Sequence, residues 1–130
     1  MATLVQIAQA KGASGYIDEG FNRWSAVHRL DAGALFRRAL EDAPAGSTLH
    51  GVADEGVAIK DIAEVIGRHA GVPVVSIPGE QAAEHFSWLA PFLALDAPAS
   101  SALTQELVDW HPVQIGLLDD LDQGHYFAPR

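Results

Sequence analysis

The chain has 130 residues, a formal net charge of −9 and no cysteine. Eight Lys and Arg residues supply too little positive charge for a phosphate-binding surface, so nucleic acid and anionic membranes are excluded as expected partners. The absence of cysteine excludes disulfides and thiolate metal sites. The first residues, "MATLVQIAQAKGASGY", lack a signal-peptide pattern, and no apolar run approaches the ~20 residues of a membrane helix. We therefore expect one cytoplasmic domain, residues 1–130.

The chain opens with a helical pattern followed by a short strand. Leu4, Ile7 and Ala8 recur at helical spacing, and Gly12 is a suitable residue to end the helix. The next segment, "SGYIDEG", predicts a short strand that ends at Gly20.

The segment 21–36, "FNRWSAVHRLDAGALF", predicts a loop that leads into a second helix. The expected apolar stripe of this helix consists of Ala32, Leu35, Phe36, Ala39 and Leu40. Asp31 precedes the stripe, so we expect its carboxylate to cap the first free N–H groups of the helix.

A strand, a helix and another strand are predicted next. "TLHGVA" is typical of a strand. The helix after it has an apolar face of Ile59, Ile62, Ala63, Ile66 and Ala70, and it ends where Gly71 is followed by Pro73. "VPVVSI" then predicts a short buried strand.

The last third of the chain is predicted to be helical. Pro78 suits the first turn of a helix through "GEQAAEHFSWLAPFL", which Pro91 kinks or splits. Ser100 or Ser101 is expected to cap a helix over "ALTQELVDW" that stops at Pro112, and "IGLLDDLDQGHYF" forms a final amphipathic segment. Helices thus dominate with three short strands, an α/β or α+β pattern that is typical of the latter part of a larger α/β domain.

The common catalytic and metal-binding motifs are absent. The six histidines are scattered and none forms an H-x-x-x-H or H-x-H pair, so we predict no metal site. The sequence contains no G-x-S-x-G nucleophile turn, no G-x-G-x-x-G and no phosphate-binding P-loop. A serine hydrolase and the usual mode of dinucleotide binding are therefore not expected.

Four polar or aromatic residues remain as candidates for a site: Arg23, Trp24, His28 and Asp31. Arg23 offers a planar fork of donors to a carboxylate or phosphate. His28 precedes Asp31 by three residues, close enough for a hydrogen bond that orients the imidazole. The alternative is purely structural: Asp31 caps the helix, His28 bonds a backbone carbonyl, and Arg23 is solvated.

Three segments together resemble the later half of the extended and atypical short-chain dehydrogenase/reductases, the NAD-dependent epimerase/dehydratase group. They are "AVHRLDAGALFRRALE", "TLHGVADEGVAIKDIAEVIGRHAGVPV" and "SSALTQELVDWHP". In the third segment Val108-Asp109-Trp110 replaces the family's Leu-Gly-Trp. The order and spacing of all three agree with the family. The resemblance implies a helix-rich fragment of a Rossmann-type fold with a few short strands.

The family's cofactor and catalytic motifs are not found in this sequence. Its glycine-rich turn and its Tyr-x-x-x-Lys pair lie upstream of the matching segments, and the residues four positions after Tyr16 and Tyr126 are Gly20 and Arg130. No catalytic residue of the family is therefore carried over. We expect the chain to bind no cofactor alone, and NAD(P) only if a nucleotide-binding half complements it.

The resemblance also implies where a substrate lies. "NRWSAVH" would border the cleft, which makes Arg23, Trp24 and His28 the expected contacts of a small-molecule substrate. The helices predicted over 59–70 and 79–95 would form the substrate-binding lobe. An exposed sheet edge and apolar face would favour a homo-oligomer, or a partner that supplies the missing half.

Two other functions are compatible with the sequence. One is a free-standing, cofactor-independent isomerase or cyclase, with His28 and Asp31 as low-ranking candidates for acid–base catalysis. The other is a non-catalytic binding or scaffold module. Of the three functions, we expect that of a truncated dehydrogenase-like protein. Such a protein provides a substrate-binding lobe and does not transfer hydride by itself.

Overall fold

The computed structural model describes residues 1–127. In this range the α-helices are α1 (Ala2–Lys11), α2 (Arg29–Asp42), α3 (Ile59–Ala70), α4 (Ala82–Phe86), α5 (Ala90–Leu93), α6 (Ala102–Val108) and α7 (Leu117–Asp122). The strands are β1 (Ser14–Ile17), β2 (Arg23–Ala26), β3 (Asp54–Ala58) and β4 (Val74–Ile77). Short 3₁₀ turns cover Gly79–Gln81, Ser87–Leu89 and His125–Phe127. None of the helices in this range is both long and apolar enough to cross a bilayer.

The four strands form two small sheets. β1 and β4 pair in parallel, from Ser14 opposite Val74 to Ile17 opposite Ile77. β2 and β3 pair antiparallel, with Arg23 opposite Ala58 and a shift of register between Trp24 and Ala26. Neither sheet is wide enough to be stable alone, so the helices packed on them supply most of the buried surface.

Helix α3 is the centre of the main hydrophobic core. Ile59, Ile62 and Ile66 are almost completely buried, and the helix packs against α1, β1 and α7. Gly71 ends the helix in the left-handed conformation, and its N–H bonds to the carbonyl of Gly67. The prediction for this helix is confirmed, because its apolar stripe and its terminating glycine are both local signals.

Helix α2 differs from its prediction in two respects. The capping residue is His28, whose Nδ1 accepts a hydrogen bond from the Leu30 N–H, so the prediction of an Asp31 cap is wrong. Phe36 and Leu40 are 74% and 89% exposed, so only part of the expected stripe is buried. The reason is that α2 packs on a small second core, in which Leu35 meets Val108 and Trp110.

Two strand predictions are also wrong. "TLHGVA" (48–53) forms no strand, and the strand begins instead at Asp54. Arg23–Ala26, expected to be a loop, is the strand that pairs with it. Asp, Glu and Gly have low strand propensity, so local propensity predicted the strand before Asp54 and not after it. Pairing with β2 overrides this local propensity.

The segment after Pro78 is less continuous than predicted. The helix breaks at Ser87, which has φ 56° and ψ −130°, and not at Pro91. Pro91 lies in the first turn of the short helix α5, where its missing N–H costs nothing. The later helix α6 ends at Val108, before the predicted stop at Pro112.

Candidate functional site

A cleft of about 520 Å³ lies between the start of α2 and the segment that contains α7. Its lining residues are Ala26, Val27, His28, Arg29, Asp54, Ile115, Leu117, Asp120, His125 and Tyr126. The lining combines cationic, anionic, imidazole and phenol groups, so the cleft can bind a small polar molecule from several directions.

One wall is formed by the first residues of α2. His28 accepts a hydrogen bond at Nδ1 from the N–H of Leu30, at 3.1 Å. A neutral His28 therefore carries its proton on Nε2 and is a hydrogen-bond donor there. Arg29, the next residue, forms no ion pair with any other residue of the described range. This wall consequently offers donors to a ligand.

The opposite wall carries a phenol bonded to a carboxylate. The Tyr126 hydroxyl donates to Oδ2 of Asp120 at 3.0 Å. Burial, and then the bond and charge of Asp120, raise the pKa of Tyr126, whereas the nearby Arg29 charge acts to lower it. Tyr126 thus stays a protonated donor at neutral pH. His125 lies against this pair, with Nε2 3.9 Å from Oδ1 of Asp120 and its ring 4.3 Å from the Tyr126 ring.

Asp54 holds the beginning of α7 against β3. Its Oδ2 accepts a hydrogen bond from the Leu117 N–H at 2.8 Å. The residue before, Gly116, passes so close that a Cβ there would lie 3.0 Å from Oδ1 of Asp54. A carboxylate from a distant strand therefore takes the place of a local cap for α7.

Asp31 holds the chain that leads into α7. This buried carboxylate accepts hydrogen bonds from the N–H groups of Val113 and Gln114, each at 3.0 Å. The Asp31 carbonyl also accepts from the indole N–H of Trp110 at 2.9 Å. Asp31 therefore attaches the segment before α7, and with it one wall of the cleft, to the start of α2. Because its carboxylate is engaged with these backbone groups, it is not bonded to His28.

The far end of α7 is attached to the end of α3. Asp122 accepts hydrogen bonds from His69 Nε2, at 2.8 Å, and from the guanidinium of Arg68. These two donors, His69 first, lower the pKa of the Asp122 carboxyl. Phe127 stacks on the His69 ring with the centroids 5.0 Å apart. The wall that carries Asp120 is therefore anchored on both sides.

The structure separates the residues that the sequence had grouped. Only His28 lies in the cleft. Arg23 binds Asp96 with Nε and Nη2, each at 3.1 Å, and thereby lowers the pKa of that carboxyl. The indole N–H of Trp24 donates to the Phe92 carbonyl at 3.1 Å. Both residues attach β2 to the chain around α5, and their role as substrate contacts stays a prediction.

Sequence reasoning missed most of the cleft: Arg29, Asp54, Asp120, His125 and Tyr126. These residues are up to 97 positions apart, and the only local signal was the polar and aromatic end of "IGLLDDLDQGHYF". Nothing in that segment indicated that it folds back against α2. Within residues 1–127, no group of three or more His, Asp or Glu residues is arranged to hold a metal ion.

The chain is similar to two fungal proteins. It is 48% identical over 124 residues to the uncharacterized protein C2A9.02 of Schizosaccharomyces pombe, covering 95% of this chain and 42% of that one. It is 48% identical over 118 residues to the uncharacterized protein YLL056C of Saccharomyces cerevisiae, covering 91% and 40%. The chain thus spans about two fifths of the length of these relatives. No family model matches it.

Two solved structures share the fold at low sequence identity. One is RMD from Pseudomonas aeruginosa complexed with NADPH, with a TM-score of 0.62, 16% identity, and coverage of 93% of this chain and 39% of that one. The other is gox2253, also with a TM-score of 0.62 and 16% identity, covering 95% and 41%. The chain has a helix-rich, Rossmann-like α/β fold with a few short strands. The predicted fold class is confirmed. The structural similarity covers part of each of the two solved chains.

Proposed function

We propose that this chain provides the substrate-binding part of a protein of the NAD(P)-dependent epimerase/dehydratase type. The observation that carries the proposal is the cleft of about 520 Å³ at the start of α2. That start, "AVHRLD", belongs to the segment whose resemblance to the family implies a position beside the substrate. The likeness to RMD, whose structure contains NADPH, supports the same assignment.

In this proposal the cleft binds a small molecule and the chain does not bind the nucleotide alone. His28 and Arg29 are the proposed substrate contacts, because both lie in the cleft and both offer hydrogen-bond donors. Arg23 and Trp24 do not line this cleft and instead attach β2 to the chain around α5, through Asp96 and the Phe92 carbonyl. Hydride transfer then requires NADPH held by a nucleotide-binding half, whose glycine-rich turn this sequence lacks.

The cleft is tested by mapping it with acetone and isopropanol, a carbonyl–alcohol pair of the kind that a reductase interconverts. Amide NMR spectra of the chain are recorded as each probe is added. We expect the largest shifts at residues 26–29 and 115–126, because a polar cleft retains such probes better than open surface. Shifts confined to other parts of the chain would contradict the proposal.

Matched variants assign the shifts to the cleft. Arg29→Gln removes a cleft cation, and Arg37→Gln removes an exposed cation of the same helix whose partner is Glu41. The proposal predicts weaker probe binding in the first variant and unchanged binding in the second. An equal loss in both would indicate a general effect of charge and not a site.

A further inference from the structure

The cleft has opposite charges on its two walls. The α2 wall contributes Arg29, and the α7 wall contributes Asp120 with Asp54 beside it. A cation at the first residue of a helix opposes the helix dipole, so the stability of α2 does not explain Arg29. Arg29, Asp120 and Tyr126 line the same cleft, where Asp120 is hydrogen-bonded to the Tyr126 hydroxyl.

Each carboxylate of the cleft has one oxygen engaged by the protein. Oδ2 of Asp54 accepts from the Leu117 N–H, and Oδ2 of Asp120 accepts from the Tyr126 hydroxyl. Neither Oδ1 atom accepts a side-chain hydrogen bond from another residue of the range 1–127, and His125 Nε2 lies 3.9 Å from Oδ1 of Asp120. The α7 wall can therefore accept hydrogen bonds from a ligand, while the α2 wall donates them.

We propose that the cleft takes a small dipolar molecule, whose carboxylate faces Arg29 and His28 and whose ammonium group faces Asp120 and Asp54. This inference rests on the proposed function, since it names the class of substrate for the same cleft. A ligand with only an anionic group would meet two carboxylates in the cleft of a chain whose net charge is −9. A ligand with only a cationic group would leave the exposed Arg29 with no ion-pair partner among residues 1–127.

A series of amino acids of increasing length tests whether the ligand is dipolar and measures the distance between the two charged walls. Glycine, β-alanine, 4-aminobutanoate and 6-aminohexanoate are titrated into the chain, each beside the alkylamine and the alkyl carboxylate of equal length. Binding is followed by the amide shifts of residues 26–29 and 115–126. We expect one length to bind about fivefold more tightly than either single-ended analogue, the size of one partly exposed ion pair.

Two pairs of variants identify which side chain binds each end of the amino acid. Arg29→Gln removes the partner of the carboxylate, so the amino acid should no longer bind more tightly than the alkylamine. Asp120→Asn removes the partner of the ammonium group, so the amino acid should no longer bind more tightly than the alkyl carboxylate. Asn can still accept the Tyr126 hydrogen bond, so the second change preserves the wall. The controls Arg37→Gln and Asp119→Asn change exposed neighbours on the same two helices and should leave the advantage intact.

The outcomes separate this inference from the function on which it rests. In the first outcome, isopropanol still shifts the amide signals of the cleft, but the alkylamine or the alkyl carboxylate binds as tightly as every amino acid. The proposal of a dipolar substrate is then wrong, whereas the proposed substrate site is retained. If neither isopropanol nor any amino acid perturbs the cleft, the proposed function fails as well. Loss of the advantage in the control variants would also overturn the inference.

Discussion

Three aspartates attach the C-terminal segment to the rest of the molecule. Asp31 binds the backbone at Val113 and Gln114, and Asp54 binds it at Leu117. Asp122 pairs with Arg68 and His69 instead. The sequence led us to expect a local cap at Asp31, because its true partners lie 82 and 83 residues further along the chain. A carboxylate beside a helix start looks the same in sequence whichever N–H groups it accepts from.

Replacing Asp31 by alanine should lower the free energy of unfolding by about 2–4 kcal/mol, because two backbone N–H groups lose a charged acceptor in a buried place. Asp31→Asn retains one acceptor oxygen and should cost less. Urea denaturation of both variants measures the difference. A loss in Asp31→Ala no larger than that in Asp61→Ala, an exposed change in the first turn of α3, would contradict the anchoring role.

The Asp122 anchor should make stability depend on pH. Its hydrogen bonds with His69 and Arg68 hold the pKa of the folded carboxyl below that of the unfolded chain, about 3.9. The stabilisation is therefore fully present above that value and is lost as the pH falls through the folded pKa. Melting temperatures of the wild type and Asp122→Asn should differ at neutral pH and converge in acid. A difference that stays constant from about pH 6 to pH 2 would argue against this ion pair.

Among the elements, helices were predicted better than strands. Helices α1 and α3 have an apolar stripe and end at Gly12 and Gly71, and both signals are written in consecutive residues. The pairing of β2 with β3 depends on residues about 30 positions apart, and β3 contains "DEG", which no propensity assigns to a strand. Strands β2 and β3 were therefore not predicted because they depend on contacts between segments that are distant in sequence.

The break between α4 and α5 stores backbone strain at Ser87. Its φ of 56° with ψ of −130° is a region that glycine adopts and other residues avoid. Ser87→Gly should therefore raise the free energy of unfolding by about 1 kcal/mol. Ser87→Ala, which has a Cβ like serine, is the control and should give no such gain. If glycine destabilises the chain in urea denaturation, the break is not strained.

At the scale of the whole molecule, several large apolar side chains remain on the surface. They include Phe36, Leu40, Trp88, Phe92, Leu95 and Leu103. We predict that the chain forms a dimer or higher oligomer at micromolar concentration, because association removes such side chains from water. Light scattering measures the mass directly, and the double change Phe36→Ser with Leu40→Ser should shift it toward the monomer. A monomeric wild type at this concentration would contradict the prediction.

The cleft could be predicted only in part from the sequence. The resemblance directed attention to the segment that contains His28, and that residue does line the cleft. The opposite wall lies near the other end of the chain, and no pattern in either segment encodes their contact. Arg23 and Trp24 illustrate the same limit, since their partners Asp96 and Phe92 are about 70 residues away.

We propose that this chain contributes the substrate side of a site and does not hold the nucleotide by itself. Titrating the purified chain with NADPH and following nucleotide fluorescence tests it most directly. We expect no saturable change, because the glycine-rich turn that holds the pyrophosphate in Rossmann-type folds is absent from the sequence. Tight, saturable binding of NADPH by the chain alone would contradict it.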